Sequence, residues 1–251
     1  MAIHLRNKKE IEALRKANKI AAEAILFAKE LVKPGITTKF ISDETERFIL
    51  SCGAKPSFKG LYGFPGAICI SINEVIIHGI PDNTLLQEGD IVGIDIGTEL
   101  DGWYGDTAVT LPVLEISNKD RELISCAKDT LEFAISSIRD GMRFKELSRL
   151  IEDFVQNRGY QPLRNFCGHG IGRSPHEEPA ILNYLEGVST QGPKIKNGMV
   201  FCIEPMICQN DGMSQVLEDK WSVTSVDGLN GSHYEHTVAV INGRAEVLSR
   251  I

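Results

Sequence analysis

The sequence predicts an α/β protein of the α+β kind, built from two similar halves that each run helix, helix, then strands. Two observations carry this. Apolar residues pass from helical spacing to strand-like runs twice, in the same order, and the second pass aligns on the first. A shift of 106 residues lays Gly35 on Gly141, Ser42 on Ser148, Glu46 on Glu152, Phe48 on Phe154 and Gly53 on Gly159. A shift of 109 residues then lays 88–95 on 197–204, so that Asp95 and Glu204 become equivalent across a central axis. The expected organisation is an internal duplication of roughly 100 residues, with halves at 7–112 and 118–251 sharing one core.

The elements follow in order. Over 7–32, Ile11, Leu14, Ala17, Ala21, Ala24, Ile25, Ala28 and Leu31 make one helical stripe, which Lys33-Pro34-Gly35 stops. Thr37 or Thr38 can cap a second helix, striped by Phe40, Ile41, Phe48 and Ile49 and ended by Gly53. Strand-like runs come next at 67–72, 75–77, 90–98 and 103–111. The second half gives helices over 118–139 and 144–157, broken at Gly141 and closed by Gly159. Its strands are expected at 199–207 and 234–241, with Asn242-Gly243 turning the last one back through 244–248.

Composition limits what such a fold can do. With 251 residues, 42% hydrophobic and 24% charged, the chain can bury a sizeable core, which excludes disorder. No run approaches the ~20 apolar residues of a membrane span, and the N-terminus meets charged residues at once, so a cytoplasmic location is expected. A net charge of −7 argues against a general phosphate-backbone binder. Six scattered cysteines, with no CxxC pair, read as reduced and buried thiols.

The anomaly is acidic. Asp95 interrupts an apolar run, 91–97, that reads as a strand buried on both faces. Asp101-Gly102 fits a two-residue hairpin loop, which sets Leu100 opposite Trp103 and Asp95 opposite Ala108. Asp106 is then the diagonal neighbour of Asp95 on the same face. Glu204 and Glu235 repeat the pattern in their own apolar runs. Acids are depleted in strands and rarely buried unpaired, and neither hairpin strand brings a Lys or Arg, so a multivalent cation is the natural balance. Four carboxylates can hold two dications, and an added imidazole favours Mn, Fe, Co or Zn over Ca or Mg.

The histidines supply that imidazole. His169, in the glycine-flanked loop 166–173, is the expected nitrogen donor. His78 ends a strand before a turn, where it can face a cleft, and His176 lies seven residues beyond His169. Strand alternation points His236 away from Glu235 and leaves His233 on the Glu235 face, with its role open.

Taken in order, Ser71-Ile72-Asn73-Glu74, His78-Gly79-Ile80-Pro81, Asp95-Ile96-Gly97, Gly105-Asp106-Thr107, Gly168-His169-Gly170-Ile171-Gly172, His176-Glu177-Glu178-Pro179, Ile203-Glu204-Pro205 and Tyr234-Glu235-His236-Thr237 resemble the type I methionine aminopeptidases over essentially the whole chain. The resemblance implies the pita-bread (creatinase/aminopeptidase) fold, two pseudo-symmetric halves around a curved antiparallel sheet, as a single catalytic domain over 1–251. It implies two divalent ions on Asp95, Asp106, His169, Glu204 and Glu235, with Asp106 and Glu235 bridging. The implied reaction removes an N-terminal methionine that precedes a small residue, in peptides and nascent proteins. Glu204 would shuttle a proton, His176 would donate to the carbonyl oxygen, and His78 would contact the peptide. Phe64, Cys69 and Trp221 match the pocket for the methionine side chain. Only 27 residues separate His176 from Glu204, too few for the helical insertion of type II enzymes, and no basic extension precedes the first helix, so a bacterial-like form is expected. The chain's own Met1-Ala2 fits such a substrate.

The chain departs from the family at the pocket: Phe58 stands where bacterial relatives often have Cys, Leu61 where an aromatic is usual, and Pro175 where an aromatic commonly precedes the catalytic His. Prolidases share the fold and ligands but generally add an N-terminal domain, whereas the halves here begin almost at Met1. A non-catalytic scaffold typically loses ligands, and all seven positions are kept. A monomer is expected, with no specific nucleic acid and no membrane. Contact with the ribosome near its exit tunnel suits a nascent-chain substrate, though no motif marks it.

Overall fold

The computed structural model describes residues 3–250; Met1-Ala2 lies outside them. Helix α1 (Lys8–Leu31) starts where the Asn7 side chain accepts from the Lys9 and Glu10 amides and Glu10 returns the bond to the Asn7 amide. Thr37 caps α2 (Thr38–Ser51), and Ser117 caps α3 (Asn118–Ser137). Helix α4 is Phe144–Gln156. All four occur within two residues of their expected limits. No helix among the described residues is long and apolar enough to cross a membrane.

The strands that matter for the site are β1 (Cys69–Ile72), β2 (Ile91–Leu100), β3 (Trp103–Pro112), β4 (Cys167–Gly170), β5 (Glu177–Leu182), β6 (Val200–Ile203), β7 (Glu235–Ile241) and β8 (Arg244–Val247). With the short Lys55–Pro56 strand they form one antiparallel sheet in the order Lys55–Pro56, β2, β3, β7, β6, β4, β5; β1 also pairs with β2, and β8 with β7. The order reads the same outward from its middle. Strands β3 and β7, one from each half, pair at the centre; β2 and β6 flank them; β1 and β4 lie beyond.

The hairpin is as expected. Asp101 and Gly102 both have positive φ, 53° and 74°, the type I′ pattern that suits strand twist, and Leu100 pairs with Trp103 and Asp95 with Ala108. Side chains of β2 then alternate. Val92, Ile94 and Ile96 enter a core with Ile20, Ala24 and Ile41 of α1 and α2, leaving Asp95 on the opposite face.

Four expectations need correction. The core is shared only in part: α1 and α2 pack on strands of the first half, the cluster under α3 and α4 also takes in Ile91 of the first half, and a smaller cluster of Ile11, Leu14 and Trp103 with Val200, Ala239 and Leu248 joins the two. The run 199–207 is two strands, because Pro205 has no amide to donate to the ladder. After Glu204 the chain leaves the main sheet, and Met206–Cys208 pairs instead with Gly231–His233. His169 lies in β4 and not in a loop, since glycines at 168 and 170 permit close pairing, Gly168 having no room for a Cβ beside the Cys202 carbonyl. The cysteines are all free, but Cys52 is exposed and Cys167 half-buried.

Candidate metal centre and its cavity

Asp106 is set by what lies behind it. Gly105 packs directly on α1: a Cβ there would fall 2.6 Å from the Asn18 nitrogen and 2.7 Å from the Ala17 carbonyl carbon. This close approach lets the buried Asn18 accept from the Asp106 amide at 3.2 Å while donating to the Leu14 carbonyl. Across the central pair, Thr107 donates to the Glu235 carbonyl and Thr237 to the Asp106 carbonyl, both at 2.8 Å. A threonine one residue after Asp106 and another two residues after Glu235 each brace the other acid's backbone. Motif reading passed over these bonds, and also Asn18, because they join residues far apart in sequence.

The five expected metal ligands, with His78, His176, Phe64, Cys69 and Trp221, line one cavity of about 390 Å³. Asp106, His169 and Glu235 have donor atoms within 4.8 Å of one another, together with the Cys202 sulfur. His169 Nε2 lies 3.5 Å from Glu204 Oε1 and 3.9 Å from Asp106 Oδ2. Asp95, on the neighbouring strand and two ladder positions from Asp106, lines the same cavity. Glu204 sits at the strand break, its carbonyl held at 2.8 Å by the Asn183 amide group. Asp95 and Glu204 are half-buried and open to the cavity, whereas Asp106 and Glu235 are buried.

Among the described residues no Lys or Arg lines this cavity. Burial, and then mutual repulsion, raises the carboxyls of Asp106, Glu204 and Glu235 well above the usual range; burial also raises Asp95, partly offset by its contact with Asp106. Asp95 Oδ1, Asp106 Oδ1 and Glu235 Oε1 are buried without a hydrogen-bond partner. Buried polar atoms are normally paired, so these oxygens fit bound cations. His169 fits as well. Its Nδ1 lies 3.0 Å from the Gly170 carbonyl, which can only accept, so the proton sits on Nδ1 and Nε2 presents its lone pair. Burial lowers its pKa to about 3, so it is unprotonated near neutrality. Cys202 lies beside these donors, its thiol pKa raised by burial and the nearby acids.

The remaining histidines divide. His176 crosses the His169 ring edge-on at 4.5 Å, its pKa lowered by burial. His78, at φ 59°, meets Phe166 edge-on at 5.7 Å. His236 turns away, as alternation predicts, to Ser249 Oγ at 2.8 Å. His233, left open by the sequence, is buried with Nε2 3.7 Å from Glu204 Oε2. At the apolar end of the cavity, Phe64 packs edge-to-face with Trp221 at 5.1 Å, in a cluster with Phe58, Cys69 and Leu61.

Sheet and site together define a metallopeptidase of the two-half kind, and a family model agrees: the metallopeptidase family M24 model matches residues 12–242. The chain belongs to that family. Within it, the chain is 55% identical over 251 residues to a methionine aminopeptidase of Helicobacter pylori, covering 99% of each. The crystal structure of a methionine aminopeptidase from Thermotoga maritima superposes with a TM-score of 0.96 at 36% identity, covering 100% of both chains. A prolidase from Pyrococcus furiosus also shares the fold, with a TM-score of 0.81 and 26% identity, but this chain covers only 65% of it. The fold is thus the pita-bread architecture that the motifs implied.

Proposed function

We propose that this chain is a methionine aminopeptidase, a single catalytic domain that hydrolyses the first peptide bond of peptides and nascent proteins beginning with methionine and a small residue. Full-length similarity to enzymes of that name supports the reaction. The observation that carries the reading is the set of five convergent donors, with three orphaned carboxylate oxygens, at one end of an apolar-ended cavity. Asp95, Asp106, His169, Glu204 and Glu235 would hold two divalent ions of the Mn, Fe, Co or Zn type. Such ions supply Lewis acidity that brings water to ionise near neutral pH and polarises a carbonyl.

The protein's own groups do the rest. Glu204, open to the cavity, takes the proton of the attacking water and passes it to the leaving amine. His176, neutral at pH 7, donates an N–H to the carbonyl oxygen as its charge grows. His78, on the cavity wall beside Phe166, holds the following peptide group. Phe64, Cys69 and Trp221 enclose the unbranched thioether of methionine, narrowed by Phe58 and Leu61. A monomer in the cytoplasm, near the ribosomal exit tunnel, is the setting that nascent N-termini as substrates would suit.

The test is release of free methionine from Met-Ala-Ser, against cleavage of Ala-Pro-Ala, by metal-stripped protein with and without added Mn or Co. Methionine release that requires metal and disappears in Glu204→Ala is expected. Preferential cleavage of Ala-Pro-Ala would move the chain to a proline-directed activity.

A further inference from the structure

Glu204 is the one acid of the centre whose two oxygens have different histidine neighbours. Oε1 lies 3.5 Å from His169 Nε2, and Oε2 lies 3.7 Å from His233 Nε2. His233 is only 3% exposed, and its Nε2 is buried with no hydrogen-bond partner. Buried polar atoms are normally paired, so this nitrogen calls for a partner, and Glu204 Oε2 is the acceptor beside it.

The backbone of His233 is held firmly. Its amide donates to Thr110 Oγ1, and Thr110 Oγ1 donates back to its carbonyl, both at 2.9 Å, while Met206 pairs with it across the short sheet that begins just after Glu204. Glu204 is fixed at its own carbonyl by Asn183. Both side chains therefore start from anchored backbones on either side of a short gap, and a small rotation of the Glu204 carboxylate closes 3.7 Å to hydrogen-bond distance.

We propose that His233 is a positioning residue for Glu204: its Nε2–H donates to Glu204 Oε2 and thereby commits Oε1 to the His169 side. The inference rests on the metallopeptidase reading of the same site. A carboxylate that must both hold a cation and move a proton works only if its second oxygen is kept from swinging, and groups that orient ligands in this way change metal affinity or activity by about 10–100-fold when lost.

The experiment compares full-length wild type, His233→Leu and His233→Gln in three measurements: calorimetric titration of metal-stripped protein with Mn(II), kcat and KM on Met-Ala-Ser, and melting temperature. His233→Leu removes the donor and the orphaned nitrogen together. It is expected to melt no lower than wild type, to bind Mn(II) about 10–100-fold more weakly, and to lose kcat by a similar factor with KM little changed. His233→Gln, which keeps an N–H donor at similar reach, is expected to recover most of both. Wild-type Kd and kcat in His233→Leu would overturn the inference, as would a His233→Gln as impaired as His233→Leu while melting normally. Should His233→Leu lose its folding transition, His233→Met, more adaptable in a core, takes its place under the same criteria. Wild type that neither binds Mn(II) nor releases methionine would overturn the proposed function itself, a result distinct from either of these.

Discussion

Gly105→Ala adds one methyl group at the contact between α1 and β3. The new Cβ meets the Asn18 nitrogen at 2.6 Å, the Ala17 carbonyl carbon at 2.7 Å and the Asn18 Cα at 2.8 Å, all of them backbone atoms of a helix that no side-chain rotation can move. To reach ordinary contact, α1 must retreat by about 0.8 Å. Overpacking of this kind costs about 1–3 kcal/mol, and stretching the Asn18–Asp106 bond adds about 1 kcal/mol. At about 2–4 °C per kcal/mol for a chain of this size, the melting temperature should fall by about 5–15 °C. Asp106 is the next residue, so the retreat also shifts a proposed ligand, and a misplacement near 1 Å costs about 100-fold in rate. Differential scanning calorimetry and kcat on Met-Ala-Ser read the two effects. A Gly105→Ala protein with wild-type melting temperature and wild-type kcat would refute the claim that helix contact behind β3 sets Asp106.

Other outcomes follow from the same geometry. Acids whose pKa is raised by folding stabilise the metal-free protein below their unfolded values near pH 4 and lose that contribution as pH rises through the raised values. Cations relieve the repulsion, so the melting-temperature gain on adding Mn(II) should grow from pH 6 to pH 8, and a flat profile would contradict the raised carboxyls. For the same reason metal uptake at pH 7 should release protons, seen as a dependence of calorimetric heat on buffer ionisation enthalpy. Glu235→Gln should stabilise the metal-free chain by removing one repelling charge while abolishing the metal-dependent gain in melting temperature. Thr107→Val and Thr237→Val each remove one of two matching cross-bonds, and denaturant unfolding should show similar losses of about 1–3 kcal/mol.

Much of this architecture was legible before folding is considered. Helix limits followed from caps and glycines at chain ends of each stripe, and the hairpin register followed from Asp101-Gly102, because a two-residue loop fixes which residues face each other. The acids were legible as misfits in apolar runs, and the family motifs tied them to metal. Pro205 is the local signal that divides 199–207 and moves Glu204 from mid-strand to a break. What local pattern could not supply was neighbourhood. Alternation placed His233 on the face of Glu235, but its approach to Glu204 depends on the chain switching sheets after Glu204. Cys202 and Asn18 became part of the site's surroundings for the same kind of reason.

The sequence by itself determined each element, its phase and its chemically costly residues, since caps, turns and side-chain periodicity act over a few residues. Only the tertiary structure decided that acids about 130 positions apart would meet, because that depends on β3 pairing with β7 across the two halves. Such a pairing is stabilised by the collective burial of both helix layers, and no short stretch of sequence contains it.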